Sequence, residues 1–262
     1  MTWSLRAISS PALELLRIAN LGRRLGVVVP VGAVEQHGPL LPLTCDVDIA
    51  EGAATELAKG LSRHSRYLAF TAPTIAYGPV PGAERTTGTS AVSYDDMGRY
   101  VSAVAAGFAQ SGTWAFLVLL NAHGHNHGRV IEASAEIYAQ YRVPVLVIQI
   151  YEFAAVTAEF GLTAGSHAGE FEVAVHAYYT RSTLTGAALP EGTPPRPRPT
   201  SIYGLDLLPR SFAGIVAPEL PSQARALAAS ESLGQRLDGL LLAKVIADLD
   251  LYFSHWAGTE PV

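Results

Sequence analysis

AFLVLLNAHGHNHG (115–128) changes character at Asn121. Before that point the chain is continuously apolar and too short for an ordinary helix. That is how a strand buried on both faces of a parallel sheet reads. After it come His123, His125 and His127 at alternate positions, spaced by glycine and asparagine. Their spacing alone leaves three uses open: metal ligation, acid/base chemistry, or a polar loop rich in histidine.

Three further segments are short, β-branched or apolar, and bounded by breakers: LGVVVPV (25–31), YLAFTAP (67–73) and VPVLVIQI (143–150). Helical periodicity fills the intervals, in DIAEGAATELAKGLSRH (48–64), YDDMGRYVSAVAAGFAQSG (94–112) and GRVIEASAEIYAQYR (128–142). Ser93 is placed to cap the second of these, with Asp96 at the capping-box position and Gly112 as its stop. Strands alternating with helices predict an α/β fold. It would be a single three-layer domain across residues 1–262, with a mostly parallel β-sheet flanked by helices on both faces. EFEVAVHAYYTRS (170–182) reads as a helix, and PEGTPPRPRPTS (190–201) as an extended proline-rich loop. Residues 222–256 read as one long amphipathic helix, with Gly234 and Gly239 as the points where it could break. Its many Leu and Ala residues suit packing on the core or on a second subunit.

The bulk composition narrows the partners. A chain of 262 residues, 49% hydrophobic and 16% charged, can bury a sizeable core and is not disordered. The low charged fraction agrees with surface covered in a homo-oligomer. A net charge of −5 without a basic run argues against nucleic acid and anionic membranes as partners. The N-terminus shows no long apolar signal segment, and no apolar stretch reaches the ~18 residues that span a bilayer. Cys45, the single cysteine, excludes an internal disulfide. A cytoplasmic location is expected.

Ligands of an open parallel sheet bind outside the carboxyl ends of its strands. The loop after the first predicted strand supplies Glu35, His37, Asp46 and Asp48, and the loop after residues 115–121 supplies the histidines. In extended backbone, residues i and i+2 face one side, so Glu35 with His37, and His123 with His125, can each face one centre. Carboxylate with neutral imidazole suits Zn, Mn or Fe(II). Asp46 could bridge two cations about 3.5–4 Å apart. In GSHAGEFEVAV (165–175), His167, Glu170 and Glu172 precede or enter a helix. There the acids either favour the helix dipole or turn back as ligands, and spacing does not choose.

VPVGAVEQHGPLLPLTCDVD, LLNAHGHNHG and GSHAGEFEVAV resemble the three signature segments of the creatininase family, the creatinine amidohydrolases and their relatives. Pro30, Val31, Gly32, Glu35, Gln36, His37, Gly38, Pro42 and Asp46 match the first segment in order. Asn121, His123, Gly124 and Asn126 match the second, with Ala122 where the family has glycine. His167, Ala168, Gly169 and Glu172 match the third. The resemblance implies a dinuclear metal-dependent hydrolase using Zn, Mn or Fe. Glu35 and His37 would bind different metals, Asp46 would bridge them, and His123 and Glu172 would be further ligands. His167, together with Glu172, would form the catalytic pair, with His167 transferring the proton.

Departures from the pattern bear on the substrate. His125 stands where creatininase proper has a metal-binding glutamate, so it is either a ligand or a substrate contact. Tyr151 and Thr163 lie nearest the places of two tryptophans that cover the substrate, and Thr86-Thr87 replaces a Phe-Pro pair before Gly88-Thr89-Ser90. The resemblance therefore implies hydrolysis of a non-peptide C–N bond, in a lactam or formamide of a small polar molecule other than creatinine. A metal-activated hydroxide would attack and His167 would protonate the leaving nitrogen. Tyr77, Glu84, Arg85, Thr89, His125 and Tyr151 are the expected substrate contacts, and His127 either caps the following helix or is a polar loop residue away from the metals. Two alternatives stay within the family: ring opening of an oxidised cyclitol or keto-sugar, and trimming of a peptide. The complete residue set argues against a non-enzymatic metal binder. The family also implies a homo-oligomer, with a hexamer as its common form.

Overall fold

The computed structural model describes residues 3–38, 40–164, 167–181 and 220–256. The proline-rich stretch 190–201 lies outside the described residues. Four strands, β1 (Arg24–Val31), β2 (Tyr67–Thr71), β3 (Phe116–Asn121) and β4 (Val145–Gln149), form a parallel sheet in the order β2-β1-β3-β4. Val31 pairs with Asn121 and Asn121 with Gln149, so three strands end level at the carboxyl edge.

Six α-helices accompany the sheet among the described residues: α1 (Ser10–Ala19), α2 (Cys45–Arg63), α3 (Tyr94–Gln110), α4 (His127–Tyr141), α5 (Glu170–Thr180) and α6 (Leu220–Trp256). Successive strand residues face opposite ways. Val28, Ala69, Val118 and Leu120 pack with α2, α5 and α6 on one face. Val27, Val29, Phe70, Leu117 and Leu119 pack with α3 and α4 on the other, where Leu13 and Leu16 of α1 also rest. Both faces are covered, which is why each strand is apolar throughout rather than alternating. The expected three-layer α/β architecture is the one observed.

Some boundaries differ from expectation. Helix α2 begins at Cys45, so Asp46 lies inside its first turn rather than before it. Asp46 and Asp48 there favour the positive helix end, and the Thr44 hydroxyl donates to Asp48 at 2.9 Å. Strand β4 stops at Gln149, and a 3-10 helix (Ile150–Phe160) follows it. Helix α1, whose Ser9 cap accepts from the Ala12 N–H, is an addition to the expected elements. Helix α6 is continuous. Gly234 is no break, because it is where the Tyr178 ring lies against the helix backbone. Ser93 caps α3 as expected, accepting from the Asp96 N–H at 3.0 Å. Among the described residues no helix is long and apolar enough to cross a membrane.

Candidate metal centre

The site begins where β1 ends. At Gly32 the backbone passes so close to α2 that a Cβ would lie 2.8 Å from the Val47 amide nitrogen and 2.9 Å from the Asp46 carbonyl carbon. Glycine at this position lets the first turn of α2 sit against the end of β1. The loop between them carries Glu35 and His37 inward, and all three side chains, with Asp46, are buried. The Gln36 N–H donates to Thr89 Oγ1 at 3.1 Å, which ties this loop to the segment near residue 90.

Across the sheet edge, β3 delivers His123 and α5 delivers Glu172, both buried. Asp46 Oδ2 lies 2.9 Å from His123 Nδ1, which is also 3.2 Å from Glu35 Oε1. Asp46 Oδ1 lies 3.2 Å from His37 Nε2, which is 3.9 Å from Glu172 Oε1. Two donor sets result, Glu35–Asp46–His123 and His37–Asp46–Glu172, each with its ligand atoms within 4.8 Å of one another. They share Asp46 and use its two oxygens separately. A third grouping joins Glu35 and His37 to His167.

Both imidazoles are fixed from behind. His37 Nδ1 lies 3.1 Å from the Glu35 carbonyl, and His123 Nε2 lies 2.9 Å from the Pro79 carbonyl. Each of these nitrogens must donate, so the opposite nitrogen is the one turned toward the carboxylate oxygens. Lone pair facing lone pair is unfavourable unless a proton or a cation lies between. His37 Nε2 accordingly finds no aligned hydrogen bond, although it is buried.

The electrostatics agree. Burial opposes charge on His37, but Asp46, Glu172 and Glu35 outweigh it and raise its pKa to about 10. Burial likewise opposes charge on His123, and its bonds to Asp46 and Glu35 lift it to about 10. Asp46, despite complete burial, is held well below the usual carboxylate range by the two imidazoles. Glu172 is pushed up by burial, with His37 pulling it back and Asp46 adding to the rise. Three buried carboxylates converging on one place call for positive charge. The donor set of carboxylate oxygens and imidazole nitrogens fits divalent cations of the Zn, Mn and Fe kind.

His167 sits at the rim. Its side chain is 30% exposed, against 0–8% for Glu35, His37, Asp46, His123 and Glu172. Its Nε2 is 2.6 Å from the Gln36 carbonyl, and its Nδ1 faces inward, 3.6 Å from Glu35 Oε1. Its ring lies 4.3 Å from that of His37.

The remaining expected residues divide. Tyr151 is drawn in, with its hydroxyl 2.6 Å from Glu172 Oε1 and 3.2 Å from Asp46 Oδ1. His125 is exposed at the mouth, its ring 5.5 Å from that of His123, with Tyr94 Oη 3.4 Å from its Nδ1. It falls outside the donor sets, so its place favours the substrate-contact alternative over the ligand one. The reason is local: Gly124–Asn126 forms a 3-10 turn instead of continuing extended, so His125 no longer shares a side with His123. Thr89 spends its hydroxyl on Gln36 and acts on the loop. Glu84 is exposed and accepts from the Gly82 N–H at 2.9 Å, bracing its own turn instead of reaching the centre. Tyr77 and Arg85 are exposed and lie outside the donor sets. Glu170, whose role spacing left open, turns away from the centre and binds the Thr163 N–H and hydroxyl and Arg225.

Several supporting groups escaped the sequence reading. The Pro79 and Gln36 carbonyls and the Ala168 N–H, which donates to Glu172 Oε2, are backbone groups and carry no side-chain signal. Asn121, Asn126 and Gln149 form a buried amide network beneath His123. Asn121 Nδ2 donates to the His123 carbonyl at 2.7 Å and to Gln149 Oε1 at 2.5 Å, and Asn126 Nδ2 donates to the Gly32 carbonyl at 3.0 Å. Here a signal existed for two of the three, since Asn121 and Asn126 match the second signature segment.

Fold and site together define an α/β protein with a candidate metal-ligand cluster at the carboxyl edge of its sheet. The chain belongs to the creatininase family, a family of hydrolases, whose model, described as creatinine amidohydrolase, matches residues 15–247. Solved creatininases share the fold. A variant of the Zn-Zn type aligns over 97% of this chain and 99% of its own at a TM-score of 0.71 and 19% identity. A manganese creatininase aligns over the same shares at 0.69 and 20%. A putative creatinine amidohydrolase from Bacteroides fragilis aligns over 92% and 95% at 0.61 and 18%. Curated relatives are similar in sequence over a shorter span. The mycofactocin precursor peptide peptidase of Mycobacterium tuberculosis is 32% identical over 122 residues, 44% of this chain and 47% of its own length. That of Mycolicibacterium smegmatis is 35% identical over 116 residues, 44% of each. The matches thus span about half the length of these relatives.

Proposed function

We propose that this chain is a dinuclear metal-dependent amidohydrolase that cleaves the C–N bond of an amide. The observation that carries the reading is the pair of donor sets sharing Asp46 through its two oxygens. Glu35, Asp46 and His123 would hold one cation, and His37, Asp46 and Glu172 the other. Divalent cations there would polarise a substrate carbonyl and acidify a water molecule. His167 serves as the proton donor to the leaving nitrogen, because its Nδ1 faces the centre while the Gln36 carbonyl fixes its other nitrogen. His125 and Tyr94 at the mouth are groups a polar substrate would meet.

The bond cut would be that of a lactam or formamide of a small polar molecule, while Thr86-Thr87 in place of a Phe-Pro pair and the extra histidines make a polyhydroxylated ring, such as an oxidised cyclitol, a further candidate. A second reading, trimming of a peptide, is favoured by the similarity to the mycofactocin precursor peptide peptidases. A homo-oligomer in the cytoplasm, without nucleic-acid or membrane partners, belongs to the same proposal. The test strips the protein with a chelator, restores Mn or Zn, and screens lactams, formamides, oxidised cyclitols and short peptides for released amine or acid. Activity lost on stripping and recovered on loading is expected. Full activity in the stripped protein would sink the mechanism, and the substrate that turns over decides between the readings.

A further inference from the structure

We infer that Tyr151 is a positioning residue that makes the two cation positions of the proposed centre unequal. The inference rests on the dinuclear reading above. Because β4 ends at Gln149, the 3-10 turn beginning at Ile150 brings Tyr151 over the carboxyl edge. Its ring packs on Phe171, with centroids 6.0 Å apart. Its hydroxyl donates to Glu172 Oε1 at 2.6 Å and lies 3.2 Å from Asp46 Oδ1. One hydroxyl hydrogen serves one acceptor well, and the shorter contact marks Glu172 as that acceptor.

Glu172 is consequently held at both oxygens, Oε1 by the phenol and Oε2 by the Ala168 N–H. Its orientation is set before any cation arrives. These contacts fall on the His37–Asp46–Glu172 set alone. On the other side, among the described residues, Glu35 Oε1 meets imidazole nitrogens, those of His123 and His167. Hydrogen-bond partners behind a ligand typically change metal affinity by about 10- to 100-fold. The set that contains Glu172 is therefore the better preorganised one, and a cation should fill it first.

The test compares metal-stripped wild type with Tyr151→Phe, which keeps the ring against Phe171 and removes only the hydroxyl. Each is titrated with Mn(II), following free ion by its electron paramagnetic resonance signal, with thermal melting of the stripped proteins as the control for folding. Wild type should show a tight and a weaker class of site. The variant should weaken the tight class by about 10- to 100-fold and leave the weaker class within about twofold. Unchanged titrations, or equal weakening of both classes, would overturn the role of Tyr151 while leaving the dinuclear reading intact. A wild-type protein that binds no ion would overturn both. Glu172→Gln should reproduce the selective loss, and failure to do so overturns the assignment of the tight class to that set.

Discussion

At the scale of the residue, His37 and His123 show how a backbone carbonyl decides chemistry. Each ring gives one N–H to a carbonyl and so turns its second nitrogen inward. His167 follows the same rule from the rim, which separates its task from theirs. His167→Gln should lower kcat by about 10²- to 10⁴-fold while leaving the metal content unchanged. Activity with elemental analysis checks both halves, and a variant that loses its metal instead would make His167 a ligand. Glu35, His37, Asp46, His123 and Glu172 were legible in the sequence because they stand beside strand or helix ends, where side-chain type and spacing carry information. The inward turn of Tyr151 was not legible, since it depends on β4 stopping at Gln149. The outward turn of His125 depends in the same way on a 3-10 turn that spacing does not reveal.

Elements are joined by a second polar group, away from the centre. Tyr178 and Tyr179 of α5 donate to Asp238 of α6 at 2.7 and 2.8 Å. Burial raises the Asp238 pKa from 3.8 to about 6, against the pull of those two hydroxyls. The folded state thus binds a proton more tightly than the unfolded chain between those values. In that window stability falls as pH rises, because the native state holds more protons than the unfolded one. Asp238→Asn should remove this slope, so that wild type loses ground to the variant between pH 4 and pH 7. Melting temperatures across that range test it, and a difference independent of pH would refute it. Beside it, Gly234 leaves room for the Tyr178 ring. Gly234→Ala should lower stability by about 1–3 kcal/mol through overpacking, read from denaturant unfolding. The sequence showed α6 as a long helix with Gly234 and Gly239 as places where it could break, because a glycine that admits a neighbouring ring looks the same as one that ends a helix. Helix α1 went unassigned although its Ser9 cap and the spacing of Leu13 and Leu16, which rest on the sheet, are both helix signals.

For the whole molecule, the parallel sheet follows from apolar strands separated by helical intervals, which the sequence carried, whereas the order β2-β1-β3-β4 is set by long-range pairing that leaves no local pattern. Leu15, Ile18 and Leu21 stand exposed in and just after α1, more than half of each surface being open. Together with the low charged fraction this favours self-association. Light scattering should give a mass above the 27.7 kDa of one chain, and a particle of that single mass would overturn the expectation.

The separation of the donors along the chain has a consequence in time. Glu35, His37 and Asp46 lie close together in sequence, yet each donor set needs a member from far downstream, His123 or Glu172. The first set exists only once β3 has slotted in beside β1, and the second only once α5 has docked against α2, both non-local events. Cations that recognise only the assembled edge would arrive after the sheet rather than guide it. Their effect would fall on the rate at which the folded enzyme comes apart, so loading would lengthen its lifetime more than it hastened its birth.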